Sequence, residues 1–350
     1  MKQEALRAAL KVKREFIHAM GYQPGQSISL DRHEKPSLVS HDVLTTYSKA
    51  LVSEIYDPRS QLMRGHYFNE RKVYLLKDIV LEPRLGLVYS RDGYLVEEST
   101  NWPIYQFYNS FPWTPKKTIP KSVLPTAIFL PSSAFGHWLM EDLPLAIFAL
   151  RLYPQAPVLV ASNPPKFVMD FLKIINRDVI YLDGPMQIDS LILVQKNQDS
   201  GWPHPKDLET LNLFEPFRSA KAETPATKKV YASRRGAKRT PKNEYEIEML
   251  FQEYGFDVFQ LEQLDLLEEI KLLSTTSVIA GVHGSALSNV IWMPVGGKMF
   301  DIVNDNYWTE AGHRLAFLLE CKYDYHRYLG AVDSPISIIQ LEKQLTEIYT

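Results

Sequence analysis

The chain has 350 residues, of which 45% are hydrophobic and 23% are charged. This length exceeds one usual domain core, so the composition predicts a globular protein of two domains. The formal net charge of −2 excludes a general attraction to nucleic acid, and any anion specificity must be local. The single cysteine, Cys321, excludes an internal disulfide and a cysteine-based zinc cluster.

Residues 1–21 contain basic side chains among apolar ones, which predicts a weakly amphipathic basic helix. Such a helix either packs on its own domain, which we favour, or contacts an anionic membrane surface. No apolar run approaches the about 18 residues of a membrane-spanning helix, and the start lacks the apolar region of a signal peptide. We therefore expect a cytoplasmic protein, with peripheral contact at the inner membrane face left open.

The first half predicts antiparallel β structure followed by an α/β arrangement. Asp92-Gly93 lies between two apolar runs and predicts a hairpin of residues 87–90 with 94–98. The further predicted strands are 127–130, 158–161, 179–181 and 191–194, with helices at about 138–152 and 165–175.

A change of composition at residues 216–229 predicts a linker that separates a domain of residues 1–215 from one of residues 230–330. After the linker, strands and helices alternate. Strands are predicted at 230–233, 258–261, 277–280 and 298–302, and helices at 244–254 and 264–273, the first with an Asn243–Glu246 capping box. The repeated βαβ units predict a parallel, doubly wound sheet. Residues 331–350 hold a final helix, which we expect to pack back on the first domain.

The segment of residues 274–302 reads as a strand, a glycine-rich turn, a helix and a strand. The turn Gly281-Val282-His283-Gly284 precedes Ser285, which we expect to cap the next helix. The free backbone N–H groups of a helix start favour phosphate or carboxylate, and ligands of open parallel sheets lie at such strand ends. Taken alone, the segment is equally typical of a glycine turn with a buried histidine.

The segment of residues 228–242 is strongly basic, with seven basic residues and no acidic one. Arginine suits a diphosphate because its planar guanidinium donates two parallel hydrogen bonds. We expect phosphate contacts from Arg234, Arg235 and Arg239, whereas Lys238 and Lys242 fit a solvated loop equally well.

His137 and Glu141 are four residues apart and share one face if this turn is helical. An imidazole paired with a carboxylate is typical of a general base with its orienting partner. On spacing alone, a structural ion pair at a helix start is slightly favoured. Pro144 cannot donate a backbone hydrogen bond, so it favours a kink in this turn.

These three blocks together resemble glycosyltransferase family 61, over roughly residues 130–305. The resemblance rests on His137-Trp138-Leu139 with Glu141 and Leu143-Pro144, on Tyr231-Ala232-Ser233-Arg234-Arg235 with Arg239 and Asn243-Glu244, and on the run from Gly281 to Asn289. The chain departs from the family in Gly284-Ser285-Ala286, where Gly-Ala-Gly is usual, and in Asp301, where Glu is common.

The resemblance implies the GT-B fold: two Rossmann-like domains facing a cleft, here with some antiparallel β structure in the N-terminal half. It implies an inverting glycosyltransferase that moves a sugar from a nucleotide-sugar, expected to carry UDP, to a saccharide or glycoconjugate. Glu141 is then the expected base, with His137 as its partner or the next candidate, and Asp142 on another face. The expected donor and diphosphate contacts are Ser233, Arg234, Arg235, Arg239, His283, Gly284, Ser285, Asn289 and Asp301.

We expect no metal ion and no other cofactor, because the chain contains no Asp-x-Asp triplet. No nucleic-acid partner is expected, and the oligomeric state is not readable. His283-Gly284-Ser285 resembles a serine hydrolase elbow only in part, because Leu287 occupies the second glycine position. The other alternative is a non-catalytic saccharide-binding or scaffold protein on the same fold.

Overall fold

The computed structural model describes residues 72–100, 124, 126–196, 203–217, 226–307 and 309–349 with their side chains. Beyond these ranges it gives only the backbone of some strands. The predicted helix at residues 1–21 lies outside the described residues, as does most of the predicted linker.

The first half contains fourteen strands among the residues that the structure describes. They are β1 (Tyr22–Pro24), β2 (Ser27–Ile28), β3 (Ser40–Tyr47), β4 (Ala50–Asp57), β5 (Leu62–Phe68), β6 (Arg71–Glu82), β7 (Leu87–Ser90), β8 (Leu95–Val96), β9 (Trp113–Pro115), β10 (Lys121–Ser122), β11 (Ala127–Phe129), β12 (Val158–Ala161), β13 (Val179–Leu182) and β14 (Met186–Val194). The helices are α1 (Phe135–His137), α2 (Leu143–Leu152), α3 (Lys166–Ile175) and α4 (Pro205–Thr210), with a π turn at Trp138–Asp142 and 3-10 turns at Glu97–Ser99 and Leu211–Phe217.

The main sheet of this half has the order β13-β12-β11-β14-β6-β7-β8-β2, with β3 also on β6 and β10 also on β14. Strands β13, β12, β11 and β14 are parallel, whereas β6 runs antiparallel to β14. The order of the parallel strands reverses between β11 and β14. The predicted hairpin is confirmed, since β7 pairs antiparallel with β8.

The second half forms a smaller sheet with the order β16-β15-β17-β18-β19, and every described pairing in it is parallel. Its strands are β15 (Lys228–Ala232), β16 (Asp257–Phe259), β17 (Thr276–Val282), β18 (Lys298–Asn304) and β19 (Lys322–Tyr328). The helices are α5 (Glu244–Glu253), α6 (Leu266–Leu273), α7 (Ala311–Leu318) and α8 (Ile338–Tyr349), with 3-10 turns at Leu261–Gln263 and Ser285–Trp292. The strand order reverses between β15 and β17, which confirms the predicted parallel, doubly wound sheet.

Two local predictions are wrong. Gly284, not Ser285, precedes the helix at Ser285–Trp292, and that helix is a 3-10 helix without a side-chain cap. Asn243 does precede α5, but it makes no capping bond there. Its side chain instead accepts a hydrogen bond from the Ile336 N–H at 2.9 Å and donates to the Ile336 carbonyl at 2.8 Å. A contact distant in sequence therefore takes the group that local patterning assigns to the cap.

Helix α8 packs on the second half. Leu341 and Leu345 are fully buried in a cluster with Ile247 and Phe251 of α5, and Gln344 donates to the Tyr325 carbonyl of β19 at 2.6 Å. These contacts differ from the prediction that residues 331–350 pack on the first domain. The final helix itself is present, but the apolar face of a helix does not specify which sheet it packs against.

One apolar core joins the two halves. Phe214 of the first half packs edge-on against Trp292 of the second, with ring centroids 5.1 Å apart, and against Phe171 at 6.2 Å. Trp138 continues the series through Phe171, again at 6.2 Å. The two sheets are therefore held together by buried aromatic rings. Among the described residues, the helices are too short or too polar for any to cross a membrane.

Trp292→Ala is expected to destabilise the protein by about 3–5 kcal/mol, because Trp292 is fully buried and the smaller side chain leaves a cavity. Urea unfolding followed by circular dichroism measures the change. Tyr245→Ala removes a ring that is 64% exposed, and we expect a change within about 0.5 kcal/mol. Equal effects of the two substitutions would contradict the shared aromatic core.

Candidate functional site

Two cavities lie beside the turn that follows β17. Cavity A, of about 410 Å³, is lined by residues that include Phe167, Ser233, Arg234, Glu269 and Asn289. Cavity B, of about 390 Å³, is lined by residues that include His137, Arg239, His283, Asp301 and Arg314. Ser285 lines both cavities. The strand order of the second sheet reverses at this point, where open parallel sheets bind their ligands.

Arg234 joins the ends of β15 and β17. Its Nη1 donates to the His283 carbonyl at 2.7 Å and its Nη2 donates to the Lys238 carbonyl at 2.7 Å. Its backbone N–H donates to Oε1 of Glu244 at 2.7 Å. Burial is the largest effect on its pKa and lowers it, but a guanidinium stays charged in proteins. Arg234 therefore brings a fixed positive charge to the wall of cavity A.

Gly284 makes room for this guanidinium. A Cβ at position 284 would overlap Nη1 of Arg234. Its φ of 165° is ordinary extended backbone, so space rather than conformation requires a glycine at this position.

The other two arginines predicted to contact phosphate, Arg239 and Arg235, differ in their positions. Arg239 adopts a left-handed φ of 65° and holds its guanidinium 3.9 Å from the centre of the Tyr307 ring, at the edge of cavity B. A non-glycine residue in this conformation is uncommon and is often associated with a functional site. Arg235 instead pairs its Nε with Oε1 of Glu248 at 2.8 Å and lines neither cavity.

Ser233 lines cavity A, and its hydroxyl donates to the same Glu248 carboxylate. The side chain is 2% exposed. Glu248, on α5, therefore orients both Ser233 and Arg235.

His283 is held by a buried carboxylate. Its Nδ1 lies 2.9 Å from Oδ2 of Asp301, which also accepts a hydrogen bond from the Tyr323 hydroxyl at 3.0 Å. The Thr309 hydroxyl lies 3.1 Å from His283 Nε2. Asp301 is fully buried, so it acts on the cavity through His283. The strands β17 and β18 bring the pair together, because Gly281 and Asp301 are direct neighbours in their register.

His137 and Glu141 form the predicted pair, with His137 Nδ1 at 3.2 Å from Glu141 Oε1. The hydrogen bond to Glu141 is the largest effect on the pKa of His137 and raises it, although burial opposes the shift. The His137 side chain is 45% exposed and faces cavity B, whereas the Glu141 side chain is 6% exposed. The imidazole is therefore the member of the pair that a ligand reaches.

The backbone under this pair is a π turn at Trp138–Asp142, which leads directly into α2. Pro144 lies in the first turn of α2, where its missing N–H is tolerated. Turns of this kind are frequent at functional sites. Asp142 points elsewhere, as predicted: its Oδ1 lies 2.7 Å from Nζ of Lys196.

Gly136 brings this turn against the second half. A Cβ at position 136 would lie 2.9 Å from Oγ of Ser288 and 3.4 Å from Cα of Ser285. The first distance is shorter than an ordinary contact, so Oγ of Ser288 would have to move to admit a larger residue. The close approach places His137 in the same cavity as His283.

Sequence reasoning missed several residues of the site: Phe135, Lys166, Phe167, Glu269, Tyr307, Thr309, Arg314 and Tyr323. For one of these residues, Glu269, the sequence did contain a signal. Leu266, Ile270 and Leu273 form the buried face of α6, and Glu269 is a charged residue on that face. No comparable pattern marks Tyr307 or Arg314, because they reach the cavity only through the fold. Within the described ranges, His, Cys, Asp and Glu residues do not gather in groups of three or more that could hold a metal ion.

The fold and site define an α/β protein that brings arginines, an imidazole–carboxylate pair and a helix start to the carboxyl edge of a parallel sheet. The family model of Glycosyltransferase 61 matches residues 135–300. The chain therefore carries a glycosyltransferase family 61 domain, as the sequence motifs indicated, and this supports a glycosyltransferase. No curated protein sequence matches the chain.

Glu141→Gln is expected to lower the pKa of His137, because the amide removes the charge that stabilises the imidazolium. The pH titration of the His137 ring protons by NMR measures the shift. His326 is the internal control: burial lowers its pKa and its partner is Gln344, so Glu141→Gln should leave it unchanged. An unchanged His137 titration would contradict the pairing.

Gly284→Ala is expected to lower the free energy of unfolding by about 1–3 kcal/mol, because the new methyl group displaces a hydrogen-bonded guanidinium. Chemical denaturation measures it. Gly184→Ala is the matched control, since nothing lies within 4 Å of a Cβ there, and it should have almost no effect. A neutral Gly284→Ala would show that Arg234 does not occupy this space.

Proposed function

We propose that this protein transfers a sugar, with inversion and without a metal ion, from a UDP-sugar to a hydroxyl group of a saccharide or glycoconjugate acceptor. The observation that carries the proposal is the position of His137, with Glu141 behind it, in a cavity that shares Ser285 with the Arg234 cavity. The proposal includes the GT-B arrangement, in which two Rossmann-like domains face the cleft.

The diphosphate of the donor fits the boundary between the cavities. Arg234 borders cavity A, and Arg239 and Arg314 border cavity B. The 3-10 helix begins at Ser285, which lines both cavities. Cations and helix starts stabilise the negative charge that develops on a departing diphosphate. The absence of an Asp-x-Asp triplet from the sequence fits stabilisation by these side chains rather than by a bridging metal ion.

The sugar then lies in cavity B, where His137 takes the proton of the acceptor hydroxyl. The acceptor oxygen forms a bond to the anomeric carbon while the bond from that carbon to the phosphate oxygen breaks, and the electron pair leaves with the diphosphate. Because Nδ1 of His137 faces Glu141, Nε2 is the proposed proton acceptor. Glu141 holds the ring and stabilises the imidazolium that forms.

This assignment exchanges the roles that the sequence favoured. The sequence predicted Glu141 as the base. We propose His137 instead, because the Glu141 side chain is 6% exposed and the His137 side chain is 45% exposed. A base must come within hydrogen-bond reach of the proton that it removes. His283 is a positioning contact for the donor in this scheme, fixed by Asp301.

The test is a transfer and donor-hydrolysis screen with UDP-, GDP- and CMP-sugars, with and without EDTA. We expect one UDP-sugar to react equally in both conditions. His137→Ala should lower kcat by about 10²–10⁴-fold. Glu141→Gln should lower it by less, and the acidic limb of the pH profile, where His137 loses its proton, should move to lower pH. Arg234→Ala should weaken donor binding and transfer.

Arg91→Ala is the control, because Arg91 is exposed and pairs only with Asp78 among its described contacts. It should leave transfer unchanged. Full activity of His137→Ala with loss in Glu141→Gln would restore Glu141 as the base. No transfer and no hydrolysis with any donor would favour the non-catalytic saccharide-binding or scaffold protein, and loss of activity in EDTA would overturn the metal-free reaction.

A further inference from the structure

Cavity A has a character different from that of cavity B. Its walls include the apolar side chains of Phe135, Phe167, Leu261 and Leu264, from both halves of the chain. Its volume of about 410 Å³ is within the range of small-molecule sites. Apolar walls of this kind suit a flat, uncharged ring more than a phosphate group.

Asn289 reaches this cavity with unused hydrogen-bonding capacity. The residue is fully buried. Its side chain lies beside the Glu269 carboxyl group, whose pKa it influences, but neither its Oδ1 nor its Nδ2 forms a hydrogen bond of regular geometry in the described part of the chain. A buried amide without partners costs about 1–3 kcal/mol. A ligand in cavity A would supply the missing partners.

Glu269 lies on the same wall. The residue is 6% exposed and its Oε2 has no hydrogen-bond partner among the described residues. Burial raises the pKa of this carboxyl group to about 8, helped by Glu262 and Asp170 and opposed by the Asn289 amide and by Lys166. At neutral pH the group is therefore mainly uncharged, and it presents one O–H donor and one carbonyl acceptor.

We propose that cavity A is a nucleobase pocket in which the Asn289 amide and the Glu269 carboxyl group read the imide edge of uracil. This inference rests on the proposed function, since it names what recognises the donor nucleotide. The imide edge presents an acceptor, a donor and an acceptor in sequence. An uncharged carboxyl group and an amide together supply the two donors and the acceptor that complement it.

The same chemistry argues against guanine. Its edge presents one acceptor and two donors, which an ionised carboxylate would complement better than an uncharged carboxyl group. The Phe135 and Phe167 rings meet edge-on, with centroids 5.2 Å apart, and aromatic side chains bordering a pocket favour a flat base.

The position of the pocket also determines how the nucleotide-sugar is oriented in the site. Arg234 and Ser285 lie on the wall of cavity A, and Ser285 continues into cavity B, where His137 lies. A base in cavity A therefore places the diphosphate at Ser285 and the sugar beside His137. The path from base to reacting carbon follows the sheet edge.

The test is calorimetric titration of the full chain with UDP, GDP and inorganic pyrophosphate. We expect the wild type to bind UDP at least about tenfold more tightly than GDP or pyrophosphate, which is the selectivity expected of a site that pairs its polar groups. Asn289→Ala should weaken UDP binding about tenfold or more and leave pyrophosphate binding unchanged. Unchanged pyrophosphate binding also shows that the variant is folded.

Glu269→Gln gives an independent readout. The amide retains a donor and an acceptor, so UDP binding near pH 7 should be preserved. Wild-type affinity should fall as the pH rises through about 8, where Glu269 ionises, whereas the affinity of Glu269→Gln should fall less. Glu342→Gln, an exposed substitution on α8, should retain the wild-type pH dependence.

Equal wild-type affinity for UDP and pyrophosphate, tighter binding of GDP than of UDP, or unchanged UDP binding in Asn289→Ala would each overturn the uracil pocket. The same pH dependence in the wild type and Glu269→Gln would overturn the role of Glu269. These results leave transfer from a nucleotide-sugar intact. A wild type that binds neither UDP nor pyrophosphate would instead overturn the proposed function itself, and the pocket with it.

Discussion

The hydrogen bonds of the Arg234 guanidinium hold the carboxyl edge of the second sheet in one arrangement. They join the end of β15 to the His283 carbonyl after β17, across the point where the strand order reverses. Because Gly284 leaves the space that the guanidinium fills, the turn and the side chain depend on each other. The start of the 3-10 helix at Ser285, and with it the boundary of both cavities, follows from this contact.

Buried carboxylates support this edge from below. Glu244 accepts from the backbone N–H of Arg234 and from the Tyr231 hydroxyl, at 2.7 and 3.1 Å. Burial raises its pKa, and these hydrogen bonds oppose the shift. Asp301 performs the corresponding task for His283. A buried charge is costly unless it is paired and hydrogen-bonded. The hydrogen bonds that Glu244 and Asp301 accept offset part of this cost, and they also fix the geometry of the sheet edge.

In the proposed reaction, the two cavities divide recognition of the donor and the chemical step between different physical environments. Cavity A has apolar side chains such as Phe135 and Phe167 on its wall beside Arg234, together with two incompletely paired groups, Asn289 and Glu269. Cavity B carries charge, with Arg239, Arg314 and the two imidazoles of His137 and His283 on its lining. Both need the first half of the chain, because Phe167 closes one cavity and His137 enters the other. The aromatic core between the sheets, through Phe214 and Trp292, is therefore also the condition for the site.

The sequence by itself determined the local order of the chain. Runs such as Val158–Ala161 and residues 277–280 are short and β-branched or apolar, and Asp92-Gly93 requires a turn, so period and turn chemistry were sufficient to predict these elements. The spacing of His137 and Glu141 was sufficient to predict their contact, because four residues return to one helical face. The family was recognisable from the order of its three motifs.

Only the tertiary structure decided which groups meet across the chain. Asn243 bonds to Ile336 rather than capping α5, and α8 covers the second sheet, because distant partners outcompete local ones. Arg234 and Arg239 face the cavities while Arg235 turns to Glu248, a division that the basic composition of residues 228–242 does not encode. Glu269 and Tyr307 join the site from separate elements. Their roles depend on burial and on distances between elements, which are properties of the packed chain and not of any sequence window.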